Sequence, residues 1–205
     1  MKPQIHPRRT PQKATPLMIL TDWLDTIWNL LAHPTPDTFQ QEARKAPGKF
    51  VSALIWVVAA VTVVALGTML IYRLPFDFGT IAILWFFAPI AFLFFGFSLD
   101  VMYRKVYGAK QSLYDEFLYL VTALLVPFML LSFLLSLVPV AGSYLGWLIW
   151  LYPIFLLVQI IRALTRLKPG QAVALTVLSI LLGGTGGFCL PLFLLAMSGI
   201  MPGVF

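Results

Sequence analysis

Residues 117–138 read FLYLVTALLVPFMLLSFLLSLV, residues 139–142 read PVAG, and residues 143–161 read SYLGWLIWLYPIFLLVQII. Neither apolar run contains a charge, and each is close to the ~20 residues that cross a hydrocarbon core as a helix. The connection between them is so short that the two helices form an antiparallel hairpin. The flanking charges, Lys110, Asp115, Glu116, Arg162, Arg166 and Lys168, all fall at the open end of that hairpin. The fold class follows: an all-α polytopic membrane protein.

Composition supports lipid as the solvent. The chain has 205 residues, 60% of them hydrophobic and only 11% charged. Soluble domains carry roughly a quarter charged residues. The net charge of +6 would suggest nucleic acid if the cations shared a soluble face. They collect at span ends instead, which is the pattern of topology signals, and no nucleic-acid partner is expected. A single cysteine, Cys189, rules out an intrachain disulfide.

Outward from the hairpin, residues 1–16 form a basic, proline-rich stretch expected to be a flexible tail. Asp22 and Asp25 interrupt what would be the apolar core of a signal peptide, so no cleavage is expected. Thr15-Pro16 is a helix start, a cap followed by a first-turn proline. Leu17, Leu20, Trp23, Leu24, Ile27, Trp28 and Leu31 then recur at spacings of three and four, opposite Thr21, Asp22, Asp25, Thr26 and Asn29. This predicts an amphipathic helix that lies in the membrane interface or packs on the protein's own spans. Leu20, Trp23, Leu24, Ile27, Trp28 and Leu31 are the candidate docking residues. Thr35-Pro36-Asp37 opens a second short helix, which Ala46-Pro47-Gly48 ends, so residues 17–49 form a cytoplasmic helical segment.

The membrane domain, 50–205, is expected to hold five spans near 50–72, 78–99, 117–138, 143–161 and 172–197. Asp100 to Glu116 reads as a mixed-charge loop with solvated carboxylates. Lys and Arg number seven in the N-terminal region, three in residues 100–116, three in residues 162–170, and one, Arg73, on the other side. The positive-inside rule places the N-terminus in the cytoplasm and the C-terminus outside.

Chemistry is scarce. The expected spans contain no Asp, Glu, Lys, Arg or His, whereas proton-coupled transporters use an intramembrane carboxylate or histidine. Span hydroxyls such as Thr62, Thr68, Ser98, Thr122, Ser132 and Ser179 ordinarily bond a backbone carbonyl or a neighbouring helix. His6 and His33 are the only histidines and both precede the first span, which excludes intramembrane haem ligation by this chain alone. No Cys/His set has zinc spacing. Gly183-Gly184-Thr185-Gly186-Gly187 lacks the Lys-Ser/Thr of a phosphate loop and lies in a span. Trp85, Phe86, Phe87, Phe92, Phe94, Phe95 and Phe97 face lipid or fill gaps between helices rather than holding a pigment or quinone. No catalytic residue, metal or cofactor is expected.

Four spans carry an internal proline, at Pro89, Pro127, Pro153 and Pro191. Each frees the carbonyl four residues earlier, at Trp85, Ala123, Ile149 and Gly187. Gly183, Gly184, Gly186 and Gly187 just before Pro191 predict a bend between Gly183 and Pro191, close to a helix of the central hairpin.

The order of short motifs resembles a known family. His33-Pro34-Thr35-Pro36-Asp37-Thr38-Phe39 precedes the first span, and Val106-Tyr107-Gly108-Ala109-Lys110-Gln111-Ser112-Leu113 follows the second. Val126-Pro127 lies within the third, Val138-Pro139-Val140-Ala141-Gly142 at the hairpin turn, and Arg162-Ala163-Leu164 to Gln171-Ala172 before the fifth. Over roughly residues 28–182 the chain resembles the bacterial branch of the Yip1-domain membrane proteins. The resemblance implies five spans with a cytoplasmic N-terminus. Eukaryotic members associate with Rab-type GTPases and reticulon-like proteins, but their Asp-Leu-Tyr-Gly-Pro signature is absent here. Two functions are therefore expected. One is a non-enzymatic scaffold of the bacterial cytoplasmic membrane that organises lipid or recruits a membrane-protein partner through its N-terminal region. The other is an accessory subunit of a larger membrane complex, with a small transporter as a more distant reading. Reporter fusions after residue 45, in the 73–77 turn and at the C-terminus should read inside, outside and outside; a cytoplasmic C-terminus would overturn the five-span count.

Overall fold

The computed structural model describes residues 16–73, 75–76, 78–138 and 141–184. The basic tail over residues 1–15, the hairpin-turn residues 139–140 and everything from Thr185 onward lie outside the described residues, Gly186, Gly187 and Pro191 included. Among the described residues the elements are eight helices: α1 (Pro16–Ala32), α2 (Pro36–Ala43), α3 (Phe50–Ile71), α4 (Phe78–Tyr107), α5 (Tyr114–Ser136), α6 (Ala141–Ile149), α7 (Leu151–Thr165) and α8 (Pro169–Gly184). Four helical stretches are long and apolar enough to cross a membrane: 50–71, 81–107, 114–136 and 144–165. A shorter apolar helix follows over Pro169–Gly183.

The organising element is α5. It packs against α1, α2, α3, α4, α6 and α7, and residues 117–124 are buried without interruption. No other spanning stretch is enclosed to the same degree. On α3, Ala53, Val57, Ala60, Val61 and Ala65 form a buried stripe at helical spacing. Two turns beyond Ala60, a side chain at Gly67 would collide with the Phe133 ring of α5. Small residues on this face let two backbones approach, which is how helices associate when lipid removes the hydrophobic drive.

Three boundaries differ from the sequence reading. The helix of the second span does not end at Leu99: α4 continues to Tyr107. Asp100, expected in a solvated loop, is 1% exposed. Its Oδ1 accepts the Leu113 N–H at 2.8 Å, and its Oδ2 pairs with Arg104 Nη2 at 2.8 Å. These bonds let the helix run through a buried carboxylate and tie the end of α4 to the start of α5. The second arm of the hairpin is two helices, α6 and α7, broken at Trp150. That break sits beside Ile149, the carbonyl freed by Pro153, while α4 and α5 run past Pro89 and Pro127 without interruption. The last described helix, α8, starts three residues before the expected boundary, with Pro169 in its first turn.

The closest approach at Gly183 is to α4 and not to the central hairpin. A Cβ there would lie 2.7 Å from Phe95 Cδ2 and 3.0 Å from Phe95 Cα, both on α4. Aromatic bulk on α4 sets this choice of partner, because Phe95 faces inward while Phe94 and Phe97 point outward. Gly183→Leu should therefore destabilise the protein by about 1–3 kcal/mol through overpacking. Gly170→Leu, at a site with nothing within 4 Å, should be much milder. Thermal denaturation of both variants in detergent tests the pair, and equal losses would contradict the packing account.

Candidate functional site

The polar chemistry of the molecule collects where the α1–α2 hairpin meets the start of α5. Thr35 caps α2: its Oγ1 accepts the Thr38 N–H at 3.3 Å, with Pro36 in the first turn. The helix buries Phe39, Glu42 and Ala43, and Ala46 follows in the next turn. A carboxylate thus falls within an apolar stripe and is 3% exposed. An ionised buried carboxylate needs donors. Glu42 has them: Asn29 Nδ2 at 2.9 Å, Thr26 Oγ1 at 2.8 Å and Lys45 Nζ at 2.8 Å.

Thr26, fully buried on α1, extends the network to the membrane bundle. Its Oγ1 lies 2.9 Å from Tyr119 Oη on α5. The Thr26 hydroxyl has one proton and Glu42 only accepts. The assignment that serves both has the Tyr119 O–H donating to Thr26 and the Thr26 O–H donating to Glu42. Trp23 closes the site on the apolar side. Its ring sits 4.9 Å from Tyr119 and 5.9 Å from Trp56 between centroids, and its Nε1 donates to Ser52 Oγ at 3.3 Å.

Outlying contacts fix the rest of the hairpin. Lys49 pairs with Asp22 at 3.0 Å, Gln40 donates to the Ala163 carbonyl at 3.0 Å, and the Tyr152 hydroxyl donates to the Leu31 carbonyl at 3.2 Å. Burial pushes the Glu42 carboxyl up. The bonds from Lys45, Asn29 and Thr26, with the Lys45 charge, outweigh it and hold the group below its ordinary value.

The candidate docking residues divide into two sets. Trp23 is 1% exposed and belongs to the protein's own core, so it is not an open docking residue. Ile27 and Leu31 pack against the same core. Leu20, Leu24 and Trp28 remain 42%, 52% and 68% exposed and form an i, i+4, i+8 stripe on the opposite edge of α1. The sequence reading missed Glu42, Thr26, Tyr119 and Asp100. A signal was present for two of them: Glu42 is in register with Phe39, Ala43 and Ala46, and Thr26 with Trp23 and Leu30. An acid or hydroxyl inside an apolar stripe marks a buried polar group rather than a solvated one.

This arrangement joins the α1–α2 hairpin to α5, and Asn29, Glu42 and Tyr119 fall in the stretch that a comparison with family models recognises, while Trp23 and Thr26 precede it. The Yip1 domain matches residues 28–191. The chain belongs to the Yip1-domain family. It is an integral membrane protein. No curated protein and no solved structure matches it. Within this Yip1 domain, two of the motifs that carried the resemblance lie at joints between helices. His33 to Phe39 forms the α1–α2 turn and α2's capped start. Val106 to Leu113 forms the α4–α5 turn, with Gly108 at φ +67°, and Asp100 holds the Leu113 end of it.

Stability should depend on the charge of Glu42. Because its folded pKa lies below that of a free glutamate, its contribution is present above the unfolded value and is lost as pH falls through the folded value. The melting temperature of the wild type should fall in that acid range. Glu42→Gln should cost about 1–3 kcal/mol at pH 7 and show a smaller acid decline. An unchanged melting profile in Glu42→Gln would contradict the assignment.

Proposed function

We propose that this Yip1-domain protein is a non-enzymatic scaffold of the bacterial cytoplasmic membrane, with five spans, a cytoplasmic N-terminus and an external C-terminus. In this reading it organises the membrane or recruits a membrane-protein partner through α1. The supporting observation is the two-sided character of that helix. One edge is bonded into the bundle through Thr26 and Trp23, while Leu20, Leu24 and Trp28 stand exposed on a helix that is held in place. An apolar stripe on a fixed helix is a contact surface already organised for binding. Arg44, Lys105, Lys110, Arg162, Arg166 and Lys168 lie at or just beyond the ends of other helices, whereas α1 itself carries the acids Asp22 and Asp25.

Both oxygens of each buried carboxylate, Glu42 and Asp100, are engaged by donors within the fold, so neither is poised as a general base. A fifth span rests on the uncharged run that continues from α8 to Phe205, since the 16 residues of α8 rise only about 24 Å. Service as an accessory subunit of a larger complex would use the same stripe against a protein instead of lipid.

Replacing Leu24 and Trp28 together by serine tests the proposal. Both are exposed, so the fold should change by no more than roughly 0.5 kcal/mol per site. Co-purification of partner chains from native membranes, or protection of the N-terminal region from protease in lipid vesicles, should weaken. If the same chains co-purify and protection is unaltered, α1 is not a docking element.

A further inference from the structure

We infer that the bundle holds one acyl chain of a bilayer glycerolipid in the crevice between α3, α4, α5, α7 and α8, with the lipid's ester carbonyl accepting from Trp150 Nε1 and Ser132 Oγ. The crevice has a volume of about 720 Å³, within the roughly 300–1,000 Å³ of ligand pockets. No charged side chain lines it, and its walls are aliphatic and aromatic groups such as Leu125, Met129, Phe92 and Leu157. It is not a sealed void, because Leu84, Ile154 and Ile180 on its rim are more than a third exposed. Apolar space of this kind does not hold water. In a membrane-spanning bundle the medium at the rim is lipid hydrocarbon, and an alkyl chain is the group that fills the space at no polar cost.

A second cavity of about 320 Å³ continues the first, sharing Val64, Thr68, Met129 and Trp150 with it. This one is lined by hydroxyls as well: Thr68, Ser132 and Ser136. Thr68 and Ser136 already bond the carbonyls of Val64 at 2.7 Å and Phe133 at 2.6 Å. Ser132 Oγ and Trp150 Nε1 have no hydrogen-bond partner among the described residues. Unpaired donors are costly in hydrocarbon. Two of them at one end of an uncharged crevice select an acceptor that carries a long apolar chain and no charge at the point of contact. The ester group of a glycerolipid has that form. Its position agrees, because Ser132 and Ser136 occupy the last turns of α5, at the end of the bundle where an ester would enter from the headgroup region. Trp150, at the α6–α7 junction, lines both cavities, which gives this position beside Pro153 a role in binding as well as in packing.

The test uses the full chain, purified in mild detergent and examined by native mass spectrometry. The wild type should retain one phospholipid per chain under conditions that strip the annular lipid. Ala65→Phe and Ala88→Phe, which fill the larger cavity, should each abolish that adduct. After delipidation, titration with dioleoylphosphatidylglycerol should restore it, and a dialkyl-ether phosphatidylglycerol without ester carbonyls should bind roughly 2- to 10-fold more weakly. Trp150→Phe combined with Ser132→Ala should weaken the ester lipid by a similar factor and leave the ether lipid unaffected. The inference is overturned if no lipid is retained, if both filled variants keep the adduct, or if ester and ether lipids bind the wild type equally. It is also overturned if Met129→Cys forms a quantitative disulfide with Cys189 in the lipid-supplied protein, because residues 185–205 would then occupy the crevice themselves. Loss of the exposed α1 stripe leaves this readout unchanged, so its outcome is separate from that of the scaffold proposal.

Discussion

A carboxylate only 3% exposed, set against a membrane-spanning helix, is an unstable arrangement unless every lone pair finds a donor. Glu42 takes three donors, Lys45 from the turn after α2 and Asn29 and Thr26 from α1, and Thr26 links it to α5. The constraint reaches outward from there. α1 must present Thr26 and Asn29 to Glu42, so its register is fixed. That register places Trp23 against Tyr119 and turns Leu20, Leu24 and Trp28 away from the bundle. The same polar bonds that hold the hairpin therefore decide which of its apolar residues are left open. Removing one partner would leave a buried charge without compensation, which is why the network locks the position of the hairpin more firmly than its net contribution to stability would suggest.

Asp100 applies the same rule at the neighbouring joint. It is buried, it accepts one backbone N–H, and it pairs with Arg104 one turn along its own helix. Away from these joints the bundle is held by shape. The small residues of α3, the close approach at Gly67, and Gly183 on Phe95 bring backbones together. Where helices do not meet closely, at the Trp150 break, space remains and the indole has no partner among the described residues. The molecule thus has an end where bonded carboxylates fix an appended hairpin, and an apolar crevice toward the other end that is open to an alkyl chain.

The spans were legible because their information is local. A run without charge reads the same in the sequence and in the fold, and α3 and α5 fall within a few residues of the expected limits. The α1–α2 segment was legible for a related reason, since Thr35-Pro36 and the spacing of Leu20, Trp23, Leu24 and Trp28 act within one helix. The site was less legible because burial depends on what lies across the interface. Thr26 looks like a member of the polar face until Tyr119, 93 residues away in sequence, is known to sit opposite it. Asp100 reads as the start of a loop because nothing local reveals that the Leu113 N–H will satisfy it. Gly183 shows a need for close approach but not the identity of the partner, which the inward-facing Phe95 decides.

The central claim is that the Thr26–Glu42–Tyr119 network fixes the N-terminal hairpin to the membrane bundle. Hydrogen–deuterium exchange of the full chain in lipid nanodiscs measures this directly, comparing the wild type with Tyr119→Phe and Thr26→Val. The account predicts slow exchange across the backbone of residues 23–43 in the wild type, and faster exchange confined to that segment in both variants, with α3 and α5 unchanged. Equally rapid exchange of residues 23–43 in all three proteins would contradict it.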